Sequence, residues 1–126
     1  MTLDDAKANV LRTLQAGPYL PKAGDDSARA VIILKNEGVP IVTEVVGPKP
    51  TFQLRHELAP TTLSPEQVKA ARQRGLALAL EWHRRNRPLE WRDLVQSIEC
   101  PFERDAARDY LRHILYRMHS IAANDS

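Results

Sequence analysis

Arginine is the residue type that is concentrated enough in this chain to suggest a binding chemistry. Between residues 69 and 92 there are seven basic residues against two acidic ones, a local excess of five positive charges. Guanidinium groups bind phosphate oxygens through paired hydrogen bonds, so the segment predicts contact with a polyanion. Its basic residues are Lys69, Arg72, Arg74, Arg84, Arg85, Arg87 and Arg92.

The same arginines also have a structural interpretation. Arg84, Arg85 and Arg87 fall at the end of a long helical pattern, where positive charge complements the helix dipole and often stays solvated. The whole chain has a net charge of only +2. Composition therefore leaves both interpretations open.

A second group of charged residues lies on the last helical pattern, where arginines and carboxylates are interspersed. An arginine can bind a guanine edge and a carboxylate can accept from a cytosine amino group, so these residue types suit contacts with bases. The alternative is a set of intrahelical ion pairs on a solvated face, worth ~0.2–0.5 kcal/mol each. The residues are Glu103, Arg104, Asp105, Arg108, Asp109 and Arg112.

The residue patterns of enzymes are missing. The sequence has no glycine-rich phosphate loop, no His-Glu-x-x-His motif and a single cysteine, Cys100, which we expect to be a small buried filler. The four histidines are dispersed, and the spacing of His113 and His119 does not suit a metal site on a helix. We therefore expect a non-enzymatic protein that uses no metal and no cofactor.

Length and composition are those of an ordinary globular protein, with 126 residues, 43% of them hydrophobic and 27% charged. We expect a single compact domain over 1–126, with sub-halves at 1–60 and 61–122 and a disordered tail at 123–126. No apolar run approaches the roughly 20 residues of a membrane span, and the first residues do not resemble a signal peptide. A cytoplasmic location is therefore expected.

Two helices are predicted in the N-terminal half. Thr2 can cap the first helix together with Asp5, and helical spacing of apolar residues continues until Gly17. A second helix is predicted over 28–34. We prefer it to a strand because Gly38, after a polar turn, suits a left-handed helix cap.

The hydrophobic period then changes to two, which predicts a β-hairpin. Its strands are expected at 41–46 and 51–56, joined by a stiff loop at 47–50 that contains two prolines.

Three helices are predicted in the C-terminal half. Ser64 and Gln67 form a capping box at the start of a central helix of about 22 residues, inside which Gly75 indicates close packing or a bend. A short helix is expected at 89–98 and a final one after the break at 99–101, with Asn86, Arg87 and Pro88 closing the central helix.

Residues 3–58 resemble the end of a winged-helix domain, because a helix with the sequence Leu-Lys-Asn-Glu-Gly-Val leads into a hairpin. The resemblance implies that the hairpin is a wing whose tip residue, Lys49, contacts DNA. The chain departs from the family in having room for only one clear helix, instead of two, between the first helix and the hairpin.

Residues from the central helix onwards resemble the three-helix core of helix-turn-helix regulators. The resemblance implies that the last helix faces the DNA groove, with Arg104, Asp105, Arg108 and Arg112 on the contacting surface. Glu99 stands where such turns commonly have glycine. The implied fold is mainly α with one β-hairpin (α+β), a winged-helix-like N-terminal half packed on a helix-turn-helix-like C-terminal half.

Two functional hypotheses follow. The first is a small cytoplasmic DNA-binding protein in transcription regulation, a homodimer on double-stranded DNA, that contacts phosphates through the basic segment and bases through the last helix. Its DNA-binding residues would be Lys49, Arg84, Arg85, Arg87, Arg92, Arg104, Arg108 and Arg112. The second is a non-enzymatic accessory or inhibitory module for protein-protein interaction, which uses the mixed-charge last helix and the hairpin.

Overall fold

The computed structural model describes residues 2–21, 27–48, 53–86 and 90–125, and it describes their side chains except at 116 and 118–125. These residues form five helices and one two-stranded antiparallel sheet, which confirms the predicted mainly α fold with a single hairpin. The elements are α1 (Leu3–Ala16), α2 (Ser27–Asn36), β1 (Ile41–Val46), β2 (Gln53–Leu58), α3 (Pro65–Arg84), α4 (Trp91–Gln96) and α5 (Pro101–Asp125).

The chain divides into two compact units. Unit 1 is Met1–Lys69 and unit 2 is Ala70–Ser126, so the boundary falls inside α3. Among the described residues, no helix combines the length and the apolar character that crossing a membrane requires.

The first helix of unit 1 begins and ends as predicted, whereas α2 begins one residue before its predicted start and ends two residues after its predicted end at Leu34. The hydroxyl of Thr2 accepts from the backbone N–H of Asp5, and the Asp5 carboxylate accepts from the N–H of Thr2, which completes a capping box. Gly38 follows α2 with φ of +96°. A Cβ atom there would lie 2.3 Å from the carbonyl oxygen of Pro65, so both the backbone angle and the close approach require glycine.

The hairpin has the predicted first strand, but its second strand ends further along the chain. Ile41 pairs with Leu58 and Val46 with Gln53, so β2 ends two residues beyond the predicted end at His56. The predicted first residues of this strand, 51 and 52, lie outside the described residues. Pairing with β1 sets the end of a strand more strongly than local β-propensity does, which is why the pattern alone misplaced it.

The core of unit 1 is aliphatic and lies where α1, α2 and the hairpin meet. Its buried residues are Val10, Leu14, Ala30, Val31, Leu34 and Ile41. Beside it is a buried polar chain in which Lys35 Nζ donates to Thr43 Oγ1 at 2.7 Å, and Thr43 Oγ1 lies 2.8 Å from His56 Nδ1. Burial of these polar groups is tolerated because they are hydrogen-bonded to one another.

The central helix α3 begins with the predicted capping box. Ser64 Oγ accepts from the N–H of Gln67 at 3.2 Å, while Gln67 Oε1 accepts from the N–H of Ser64 at 2.8 Å. Beyond its other end, Asn86 adopts φ of +59°, a left-handed conformation that asparagine tolerates better than most residues. The predicted closing residues Arg87 and Pro88 lie outside the described residues.

The last two helices differ in length from their predictions. Instead of covering 89–98, α4 covers six residues and gives way to a turn at Ser97, whose hydroxyl donates to the carbonyl of Leu94. In contrast, α5 continues to Asp125 and includes most of the segment predicted to be a tail. Alanines 122 and 123 favour helix, and neither glycine nor proline interrupts this part of the chain.

The apolar core of unit 2 combines alanines with larger side chains from α3, α4, α5 and the break at 97–100. Its buried residues are Ala79, Val95, Ile98, Ala107 and Leu111, with Trp82, Trp91 and Tyr110 partly buried around them. Gly75 lies so close to α5 that a Cβ atom would meet the carbonyl oxygen of Glu103 at 2.1 Å. The predicted close packing at Gly75 is confirmed.

Candidate nucleic-acid interface

The end of α3 presents two arginines that share one carboxylate. Arg84 and Arg85 have side chains that are 76% and 63% exposed, and they contact Glu81 at 3.1 and 2.8 Å. Exposed ion pairs of this kind contribute little to stability, so each guanidinium can exchange its carboxylate for another anion at small cost. With two cations against one anion, this end of the helix carries a net positive charge.

Arg92 is the exposed arginine at the start of α4. Its guanidinium lies 5.5 Å from the ring centroid of Trp91, which is half-buried. Such a cation–π contact contributes about 0.5–1 kcal/mol at an exposed site, and the exposed N–H groups of Arg92 are accessible to an anion. Two other residues of the DNA-binding prediction, Lys49 and Arg87, lie outside the described residues.

Arg104 is placed differently from the arginines of α3's end, because it is half-buried and bound to backbone carbonyls. Its Nε and Nη2 donate to the carbonyl of Ile98 at 2.9 and 2.6 Å, and Nη2 also donates to the carbonyl of Glu99 at 3.1 Å. These carbonyls follow the end of α4, where the backbone lacks helical partners. Arg104 therefore fixes the break between α4 and α5.

Asp105, which the helix-turn-helix resemblance places on the contacting surface, is buried instead. Its carboxylate accepts from Arg72 Nη1 at 2.7 Å, and the two side chains are 1% and 9% exposed. Arg72 also lies over the ring of Phe102, 5.9 Å from its centroid. The carboxylate of Asp105 thus has no access to a base edge in this conformation.

The burial of Arg72 was not predicted from the sequence. Its charge placed it in the basic segment expected to contact a polyanion, and arginine is rarely buried without a partner. A signal was nevertheless present, since Val68, Gly75 and Ala79 lie four residues before it and three and seven after it, on the same face of α3. The partner carboxylate, 33 residues away, could not be identified from spacing.

Charged residues of α5 form two further ion pairs, one with α3 and one within α5 itself. Glu103 accepts from Arg74 of α3 at 2.7 Å, whereas Arg112 and Asp109 form an i,i+3 pair at 2.6 Å. Arg108 is half-buried. Intrahelical pairing, the alternative weighed for all six residues, is therefore correct for Arg112 and Asp109, but Glu103 and Asp105 pair with α3.

Other polar side chains in unit 2 form structural contacts. His83 Nδ1 lies 2.9 Å from the hydroxyl of Tyr110, a link between α3 and α5. Within the described part of the chain, no group of three or more His, Cys, Asp or Glu residues is arranged to hold a metal ion.

Comparison of the chain with protein-family models, with curated proteins and with solved structures finds no match.

Proposed function

We propose that this chain is a DNA-binding protein that contacts duplex phosphates through the exposed end of α3. The observation that carries the proposal is the pair Arg84 and Arg85, both largely exposed and both opposed by the single carboxylate of Glu81. Arginine at an exposed helix end can bind phosphate without a large desolvation cost. Arg92, and the sequence-predicted Arg87 and Lys49, would add further phosphate contacts.

The order of elements supports the proposal in both units. In unit 1, α2 leads directly into the β1–β2 hairpin, the order that a wing after a recognition helix requires. In unit 2, the short helix α4, the break at 97–100 and α5 follow one another as in a helix-turn-helix. Winged-helix and helix-turn-helix arrangements are accordingly part of the proposal.

A salt titration tests it directly. Binding of a labelled random-sequence duplex is measured by fluorescence anisotropy at about 50 and 200 mM salt, a range over which six phosphate contacts would weaken affinity by ~1000-fold. The double variant Arg84→Ala/Arg85→Ala should bind more weakly and should flatten the slope of log affinity against log salt by about two units.

The matched control is Lys7→Ala/Arg12→Ala, which removes the same charge from α1 of unit 1. It should leave the slope within about half a unit of the original value, since neither residue belongs to the proposed interface. Absence of binding at low salt, or equal slopes for the two double variants, would contradict the proposal and favour the protein-binding hypothesis.

A further inference from the structure

We infer that the DNA contact of unit 2 is independent of base sequence, and that Arg104 holds the break between α4 and α5 instead of contacting DNA. The inference rests on the proposed function and specifies its substrate as duplex DNA of any sequence. It departs from the expectation that the first turns of α5 recognise bases.

The first two turns of α5 are the part of a recognition helix that must reach base edges. In this protein the charged side chains of these turns are bound to α3 or to the break between α4 and α5. Glu103 binds Arg74, Arg104 binds the carbonyls of Ile98 and Glu99, and Asp105 is buried against Arg72.

The other residues of these turns offer no hydrogen-bonding side chain. Phe102 and Ala107 are buried, Ala106 is half-buried, and the exposed residue is Pro101. Base discrimination relies on donors and acceptors aligned with the edges of the base pairs. Among the groups that could distinguish base pairs, the start of α5 therefore presents Glu103, whose carboxylate is paired with Arg74 and is repelled by the phosphates that flank a groove.

Withdrawing Arg104 from its carbonyl partners would have a structural consequence. Its three hydrogen bonds cover two carbonyls of the break, and removal would leave both without these donors. If Arg104 had to leave these carbonyls to reach a base, its release would disturb the helix-turn-helix that positions it. Arg104 would therefore not provide stable base contacts. Phosphate contacts from Arg84 and Arg85 require no such rearrangement, because both side chains are already exposed.

Selection from a randomised duplex pool tests the inference. The full chain is incubated with the pool at about 50 mM salt, bound duplexes are amplified over several rounds, and individual sequences are compared by anisotropy. We expect no enriched motif and affinities within about fivefold of one another, since one wrong base pair in a specific site costs roughly 5- to 150-fold.

An enriched motif, with single-base variants that bind more than about tenfold more weakly, would overturn the inference and leave the proposed DNA binding standing. Failure of every duplex to bind at low salt would overturn both. The two failures are thus distinguishable in one experiment.

The role of Arg104 is tested separately by Arg104→Ala and Arg104→Lys, the second of which keeps the charge but not the planar fork. Both variants should unfold at a lower urea concentration than the original chain. Circular dichroism checks that each variant is folded in the binding assay, where its DNA affinity should stay within about twofold and its salt slope within about half a unit of the original values. A slope flattened by Arg104→Ala as much as by Arg84→Ala would overturn the assignment.

Discussion

The arginines at the end of α3 and those around the start of α5 have the same side chain and different surroundings. Arg84 and Arg85 are exposed and share one carboxylate, whereas Arg72 is buried against Asp105, and Arg104 is bound to carbonyls. The comparison separates positive charge that is accessible from positive charge that is structural. Only accessible arginines can make the phosphate contacts that we propose, and the others stabilise the structure around them.

The two environments predict different contributions of the ion pairs to the free energy of unfolding. Exposed ion pairs contribute about 0–1 kcal/mol, because water and salt screen both charges. A buried pair gains little over apolar packing, but the loss of one partner leaves an uncompensated charge in the interior. Stability measurements should therefore separate the two groups of arginines clearly.

The largest effect is expected at the buried pair. Asp105→Ala leaves the Arg72 guanidinium buried without this carboxylate, and we expect the free energy of unfolding to fall by about 3–5 kcal/mol. Urea denaturation followed by circular dichroism measures the change. The double variant Arg72→Met/Asp105→Leu removes both charges and should recover most of the loss.

Asp93→Ala is the control for this prediction. Asp93 is an exposed carboxylate in the first turn of α4, so its removal should cost less than about 1 kcal/mol. If the Asp93 and Asp105 variants were equally stable, the buried pair would not have the structural importance that its burial indicates.

The next effect is expected at Gly75, where α3 lies closest to the backbone of α5. Gly75→Ala would stabilise an exposed helix by up to ~1 kcal/mol. Because its Cβ would meet the Glu103 carbonyl oxygen at 2.1 Å, we expect destabilisation of about 1–3 kcal/mol instead. The thermal midpoint of unfolding records the sign of the change.

Ala77→Gly provides the comparison, since Ala77 is exposed two residues further along α3. That substitution should lower stability by up to ~1 kcal/mol through helix propensity alone. A stabilising Gly75→Ala would show that the close approach of α3 and α5 is absent in solution.

Local signals in the sequence predicted much of this fold correctly. Capping at Thr2 and Ser64 and the left-handed glycine at Gly38 involve residues a few positions apart, so spacing alone identifies them. The mainly α class with one hairpin was predicted from the period of the hydrophobic residues, which is also a pattern among residues close in sequence.

Long-range contacts were not predictable in the same way. The end of β2 depends on pairing with β1, and the burial of Asp105 depends on Arg72, 33 residues earlier in the chain. A carboxylate on a helix looks alike in sequence whether it faces solvent or a buried guanidinium. For the candidate site, the sequence therefore predicted which residues carry charge but could not separate accessible arginines from structural ones.

The smallest changes in the free energy of unfolding are expected for single substitutions that compare one arginine from each group. Arg104→Ala removes three hydrogen bonds to the carbonyls of Ile98 and Glu99 and should cost about 1–2 kcal/mol, because these partners are only partly buried. Arg84→Ala removes an exposed ion pair and should change stability by less than about 0.5 kcal/mol. Each variant loses one positive charge, so a difference between them in urea denaturation reflects their contacts rather than their charge. Equal losses would mean that the carbonyl contacts of Arg104 do not hold the break, and the distinction between accessible and structural arginines would then rest on Arg72 alone.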